Sequence, residues 1–423
     1  TVSGGDIWGG YYIGMAGGTN VAEDISETKA VNMEQMLMWN PEVIYITNFV
    51  PYLPEDFYNN AIEGYDWSDI NAVKNGRVYK YPLGTYRWYP PAGDTPLSLV
   101  WTAKQMHPDL FADIDMDQMV TVILCVAPVA AAFLCLGFGR YSLGPAKTIE
   151  VLLSPFTGAE VTSTEFSVVF NLRIPRILLA IGCGAALSAS GIAFQSLFNN
   201  PLATPDTLGV SSGASCGAVV ALMLRMNLIG VQLVALIFGL VAVALTWSIS
   251  KIRGKNSIIM MVLAGMVISA LFEALVSLLK YVADPQETLP TITYWLMGSL
   301  SGANYPSLLL GMPLIIFGVA VIFLLRWRLN ILSLSEDEAR SMGINLRTMR
   351  LLVVVAATMM TASCISMCGK IGWVGLLIPH IARMLRGGNN QLAVPACISL
   401  GMVFTLLIDT ASRSMTSAEI PVS

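Results

Sequence analysis

Residues 172–217 read LRIPRILLAIGCGAALSASGIAFQSLFNNPLATPDTLGVSSGASCG, and this stretch decides the fold. Arg173 and Arg176 flank Pro175, and apolar or small residues then run to Phe198 before a polar turn holding Pro201 and Pro205. A second helical run follows, in which Gly209, Gly213 and Gly217 recur every fourth residue and so share one face. In lipid no hydrophobic force pulls helices together, so close backbone approach through small residues is what lets them associate. Apolar stretches of similar length recur down the chain, so this one reads as a membrane segment rather than the buried helix of a soluble domain.

Composition agrees. The 423 residues are 55% hydrophobic and only 12% charged, where about a quarter charged is usual for a soluble protein. Charge is divided unevenly: residues 1–119 carry 6 Lys and Arg against 16 Asp and Glu, and residues 120–423 carry 18 against 12. Net charges of −10 and +6 imply two regions that meet different solvents. All seven cysteines lie in apolar runs, without disulfide or zinc spacing. Cys364 and Cys368 share a helix face, and two thiols with no His or acidic companion read as small packing residues.

Apolar runs place helices near 120–139, 174–196, 206–225, 229–249, 258–281, 306–326, 350–368 and 392–410, with a broken pair across 371–386, about nine crossings in all. Loops rich in cations contain Lys251, Arg253 and Lys255, then Arg326, Arg328, Arg340, Arg347 and Arg350, then Arg383 and Arg386. The positive-inside rule assigns these to the cytoplasm. Asp284 and Glu287 then fall outside, as do Arg173, Arg176 and Arg413, three cations on the wrong side for topology that ask for an acidic partner. Glu273 sits inside the run 258–281, where an intramembrane carboxylate reads either as pore-lining or as a hydrogen-bonded packing residue.

Ahead of the helices, residues 1–119 alternate turns, short β-prone runs such as VIYITN (43–48) and helical runs, an α/β pattern. The opening TVSGGD has neither an initiator Met nor a signal peptide, and reads as the start of a fragment.

Arg173, Pro175 and Arg176, then NPLA (200–203), GVSSGASCG (209–217), LSEDEARSMGIN (334–345), GKIGWVGLLIPHIARML (369–385), LLIDTASR (406–413) and AEIPV (418–422) occur in one order that resembles the permease subunits of binding-protein-dependent ABC importers for iron-siderophores, haem and cobalamin. The resemblance covers about 120–423. GGTNVAEDI (17–25), VNMEQMLMWNPEVIYI (31–46), WSDINAVKNGRVYKYPLG (67–84) and PLSLVWTAKQMHPDLFADID (96–115) look like the C-terminal lobe of the matching substrate-binding proteins. The fold implied is an all-α polytopic membrane protein, nine helices of a ten-helix permease, behind an N-terminal α/β lobe, divided at 119/120. The family continues beyond AEIPV with a tenth crossing. The resemblance also implies a lobe on the cytoplasmic side of its own permease, because the helix near 119–139 must run outward for Arg173 and Arg176 to lie outside.

Further roles follow from the resemblance. Ser335, Glu336, Ala339, Arg340 and Gly343 match the segment that seats on the ATPase subunit. Arg173, Arg176 and Arg413 match a docking surface for the binding protein, and Glu34 matches an acidic residue of that protein which docks on permease arginines; without the resemblance it is equally a solvated helix glutamate. Tyr86, Arg87, Trp88 and Tyr89 fall where the family's ligand cleft lies, or pack a lobe edge. Gly209, Gly213, Gly217 and Glu273 are candidates for the translocation path. The partners implied are ATP-binding ABC subunits on separate chains, a second permease copy forming a homodimer, a complete periplasmic or extracellular binding protein, an iron-chelate ligand and membrane lipid, with no nucleic acid, cofactor or resident metal. The setting is the plasma (inner) membrane.

An enzyme is disfavoured. No GxxxxGK[ST] is present to cradle ATP phosphates, and His380 is not part of HExxH. An intramembrane hydrolase would need two of Glu273, Asp409 and His380 to converge. A receptor whose helices only tether the lobe would need one crossing.

Overall fold

The computed structural model describes residues 2–82, 95–111, 113, 115–139, 141, 143–250, 258–332 and 345–414. Contacts divide the chain into two units, Thr1–Ile123 with Met384–Arg386, and Leu124–Arg383 with Gly387–Ser423.

In the first unit, strands Ile44–Ile46 and Val78–Lys80 pair in parallel, Ile44 opposite Val78 and Ile46 opposite Lys80. Parallel neighbours need a crossover, and helices Pro54–Tyr58 and Asn71–Lys74 lie along it. Their apolar sides join Met36 of helix Met33–Trp39 in one core with Ile46, Phe57, Ile62, Ile70 and Val78. A second pair, Val2–Ser3 and Thr28–Lys29, is antiparallel. This is the α/β arrangement that the short β-prone runs indicate.

The second unit is helical. Among the described residues seven helices are long and apolar enough to cross a membrane: Asp117–Gly137, Ser163–Phe198, Leu228–Ser250, Ile259–Val282, Tyr305–Leu332, Leu346–Cys368 and Asn390–Ser414. The expected runs at 206–225 and 371–386 form shorter helices, Val210–Met223 and Val374–Arg386. At 1.5 Å per residue, helices of 14 and 13 residues reach about 20 Å, short of the roughly 30 Å hydrocarbon layer. Two helices that no apolar run announces, Pro145–Thr157 and Thr288–Leu296, join the spans.

Ser163–Phe198 is the axis of this unit. It begins in a capping box, in which the Thr162 hydroxyl accepts from the Glu165 amide at 3.2 Å and the Glu165 carboxylate accepts from the Thr162 amide at 3.0 Å. A π-helical stretch, Ser167–Arg173, comes next and leads into Ile174–Phe198. Pro175 has no amide to return to the preceding turn, so that backbone bond is missing where the π-helical stretch passes into the α-helix.

From Arg176 to Phe198 every residue but Leu178 and Ile181 is buried. Helices Tyr305–Leu332, Leu346–Cys368 and Asn390–Ser414 pack around it. They come close because the axis is narrow: a Cβ on Gly184 would run into the Gly401 carbonyl, and one on Gly191 into the Gly375 carbonyl. Gly184→Ala therefore sets a gain of about 1 kcal/mol in helix propensity against overpacking of about 1–3 kcal/mol on a backbone atom that cannot swing aside. The collision dominates, and Gly184→Ala should melt at a lower temperature in detergent. Gly388→Ala, with open space around it, should melt with the parent chain.

Candidate translocation site

The turn after the axis is written residue by residue. Asn199 ends the helix in the left-handed conformation, φ +47°, and the Asn200 side chain accepts from the Leu202 amide at 2.9 Å. Thr204 caps a 3₁₀ turn, Pro205–Leu208, with Pro205 at its start. Gly209 closes it at φ +81°, a conformation that suits glycine and lets Val210–Met223 set off at once. The Thr246 hydroxyl donates to the Leu208 carbonyl at 3.0 Å and ties the turn to Leu228–Ser250.

This turn collects polar groups inside apolar surroundings. Asp206 interacts with the Ser211 side chain, with Lys370 and with Glu273. The Ser212 hydroxyl donates to the Glu273 carboxylate at 3.1 Å, joining the short helix to Ile258–Val282. Glu273 is exposed in the single chain, on a face that also shows Met266, Val267, Leu271 and Leu278. A carboxylate on such a face is costly against lipid and tolerable against water or another polar surface.

The candidate path residues separate. Gly209 lies beside Ile268 and Ser269 of the Glu273 helix. Gly213 and Gly217 turn the other way and admit Leu228–Ser250: a Cβ on Gly213 would meet Ala242 and the Phe238 carbonyl, and one on Gly217 would meet Phe238 and the Val234 carbonyl. Their four-residue spacing makes a helix seam there rather than the wall of an opening.

The three arginines come together, but facing inward. Arg176 Nε donates to both oxygens of Asp409, at 2.9 and 3.0 Å, and its NH2 group lies 2.9 Å from Asp409 Oδ1. Arg413 stands 3.9 Å from the same carboxylate and donates to the Cys135 carbonyl at 2.7 Å. Arg173 donates to the Leu136 and Tyr141 carbonyls. All three arginines are less than a tenth exposed. A partner could reach these guanidinium groups only if they left their present acceptors. The physical reason is that the chain supplies its own anion and its own helix-end carbonyls for cations that would otherwise face apolar neighbours.

Glu34 is exposed in the first turn of Met33–Trp39, whose cap is Asn32. Tyr86, Arg87, Trp88 and Tyr89, and Ser335, Glu336, Ala339, Arg340 and Gly343, lie outside the described residues. Glu273 bonds Ser212 and Asp409 bonds Arg176, and His380 is exposed on Val374–Arg386. Those separate engagements give no converging pair for hydrolysis. Asp206, Ser211, Ser212 and Lys370 are members of the polar group that the sequence did not single out. The polar turn holding Pro201 and Pro205 is the local signal that could have drawn attention to Asp206.

The model of the FecCD transport family matches residues 126–423, and that of the periplasmic binding proteins matches residues 1–83. The molybdate import system permease protein MolB of Haemophilus influenzae is 39% identical over 295 residues, covering 70% of this chain and 88% of that protein. An iron chelatin transport system permease of Helicobacter pylori is 36% identical over 305 residues, covering 71% and 92%. A solved inward-facing metal-chelate type ABC transporter superposes with a TM-score of 0.65 at 37% identity, covering 72% of this chain and 94% of that one.

The Arg176–Asp409 pair supplies a test of the inward-facing reading. Removing one member strands a buried charge, at a cost of about 3–5 kcal/mol, whereas replacing both by apolar groups is near neutral. Arg176→Met and Asp409→Leu should each lower the melting temperature in detergent strongly, and the double variant should recover part of the Asp409→Leu loss, because Arg413 keeps the Cys135 carbonyl but loses the carboxylate it shares with Arg176.

Proposed function

Because the chain belongs to the FecCD transport family, we propose that it is the membrane-spanning subunit of a binding-protein-dependent ABC importer that carries an iron chelate such as a siderophore complex, haem or cobalamin. The chain is a multi-pass protein of the plasma (inner) membrane. ATP is hydrolysed by separate subunits, in keeping with the missing phosphate-binding loop, and two copies of the chain enclose the path.

The observation that carries this reading is the placement of Glu273. Its carboxylate belongs to an apolar span, is held by Ser212, is exposed in the single chain and lies within electrostatic reach of Asp206. A second copy applied to that face would cover its apolar residues and leave the polar group beside a wet path between the copies. Asp206, Ser211 and Ser212 sit on a turn and a short helix rather than on a full span, an arrangement suited to movement because few backbone bonds must change when the turn shifts. Glu34 on the exposed helix of the first unit is the kind of carboxylate that docks on arginine.

A second reading of the cargo has its own support. The molybdate permease covers this family region at 39% identity, and a small oxyanion needs a narrower path than a chelate. Proteoliposomes holding the full chain, an ATP-binding partner subunit and a complete binding protein should accumulate a ferric chelate only when ATP is present. Accumulation of molybdate with no chelate uptake would replace the chelate by the oxyanion. Accumulation of neither, with both partners bound, would remove the importer reading.

Coupling is tested separately. Arg340→Glu reverses the charge of the segment proposed to seat on the ATPase, and should reduce ATP-dependent uptake at least tenfold. Expression and melting temperature should stay at parent values.

A further inference from the structure

Three thiols scattered along the sequence meet inside the helical unit. Cys183 belongs to Ile174–Phe198, while Cys364 and Cys368 stand one turn apart at the end of Leu346–Cys368. The sulfur of Cys368 lies 3.6 Å from that of Cys183 and 3.7 Å from that of Cys364. All three sulfurs fall within 4.8 Å of one another, and all three residues are buried, reduced cysteines. The pairing of Cys364 with Cys368 as mere packing residues omits the third thiol, 185 positions away from Cys368.

Distance and charge together select a ligand. A planar centre bonded to three sulfurs at about 2.3 Å holds them about 4 Å apart, and a pyramidal centre carrying a lone pair draws them somewhat closer. The separations of 3.6 and 3.7 Å suit the pyramidal case with little movement of either helix. A monovalent or divalent ion held by three thiolates would leave a net charge of −2 or −1 among buried side chains, which is costly without a paired cation. A trivalent centre leaves none.

We propose that Cys183, Cys364 and Cys368 form a binding site for trivalent arsenic, delivered as arsenous acid. Each of its three As–O bonds is replaced by an As–S bond, and each thiol proton departs with a hydroxyl as water. One As(OH)₃ and three thiols thus give As(SR)₃ and three waters; arsenic stays trivalent and nothing is oxidised. Reactant and product are both uncharged at neutral pH, so the exchange buries no ion. The site lies next to a loop rather than deep in mid-helix. Cys368 is the last residue of its helix, its carbonyl accepts from the Ser299 amide at 2.8 Å, and Lys370 and Trp373 just beyond are exposed. The bound arsenic staples the axis helix to Leu346–Cys368, two segments otherwise joined only by packing and hydrogen bonds.

The test uses the full chain, purified in detergent with a phosphine reductant, since a thiol reductant would compete for arsenic. After incubation with sodium arsenite, native mass spectrometry should show a gain of one arsenic less three protons, and the melting temperature should rise because the ligand binds the folded state. Cys183→Ala, Cys364→Ala and Cys368→Ala should each abolish that species. A variant with Cys125, Cys135, Cys216 and Cys397 all changed to Ala should keep it. Failure of the folded parent chain to take up arsenic overturns the proposal without recourse to any variant. So does uptake with loss of only two protons, which denotes a dithiol, or retention of the species by any of the three single variants. Uptake of Hg(II) or Cu(I) with no uptake of arsenite overturns the choice of a trivalent centre.

Discussion

The helical unit depends on how near other backbones can come to Ile174–Phe198. A helix enclosed on every side in a membrane gains nothing from hydrophobic burial relative to lipid, so its contacts must be won by dispersion at short range. Residues 182–191, GCGAALSASG, hold only one side chain larger than cysteine. The facing helices answer in kind, with Gly401 opposite Gly184 and Gly375 opposite Gly191. Serines within the run satisfy themselves locally, as Ser188 does by donating to the Gly184 carbonyl and Ser190 to the Leu187 carbonyl. The axis therefore carries several polar side chains and still asks little of its neighbours beyond proximity.

Once the axis is fixed, the charged residues at its beginning are fixed with it. Arg176 stands at the first turn of Ile174–Phe198 and Asp409 near the end of Asn390–Ser414, so their bidentate pair pins the start of one helix to the end of the other. Arg173 and Arg413 then reach the closing carbonyls of Asp117–Gly137 and the residue beyond, Leu136, Tyr141 and Cys135. Helix ends leave carbonyls without intrahelical donors, and a guanidinium has five N–H groups to offer. One arginine cluster thus finishes three helices at the same level. That is a structural use for all three cations within the chain itself.

What the sequence made legible divides along physical lines. Spans such as Tyr305–Leu332 and Leu228–Ser250 are announced by hydropathy alone, because a single helix must satisfy the membrane by itself. Val210–Met223 and Val374–Arg386 are legible as apolar runs, yet their lengths are not, since Gly209 and the Gly369–Trp373 turn reset the backbone inside each expected crossing. Thr288–Leu296 gives no signal because only its packing, with Ile292 buried against Val219 and Ala283, makes it part of the core. At the site, Glu273 was conspicuous as a charge in an apolar run, while Ser212 and Asp206 were not, because serine and aspartate are commonplace in turns and caps. The Arg176–Asp409 pair spans 233 positions, and no local pattern encodes such a meeting. Motif order carried the family; the direction each side chain faces came from packing.

The same packing explains why the polar site sits where it does. Val210–Met223 is buried against Leu228–Ser250 on its glycine face, through Gly213 and Gly217, and meets the Glu273 helix on its serine face, through Ser212. The first contact is close, apolar and insensitive to water. The second adds the Ser212–Glu273 hydrogen bond to apolar packing of Cys216 against Ile268 and Phe272, and the neighbouring turn is held both to Leu228–Ser250, by the bond from Thr246 to the Leu208 carbonyl, and to the Glu273 helix, where Gly265 admits the Thr207 carbonyl. Breaking a hydrogen bond where water can replace it costs little, about 1 kcal/mol, whereas separating interlocked backbones forfeits many dispersion contacts at once. Packing of Cys216 against Ile268 and Phe272, and of the Thr207 carbonyl against Gly265, therefore holds the Glu273 helix to the short helix and its turn more firmly than the Ser212 bond does.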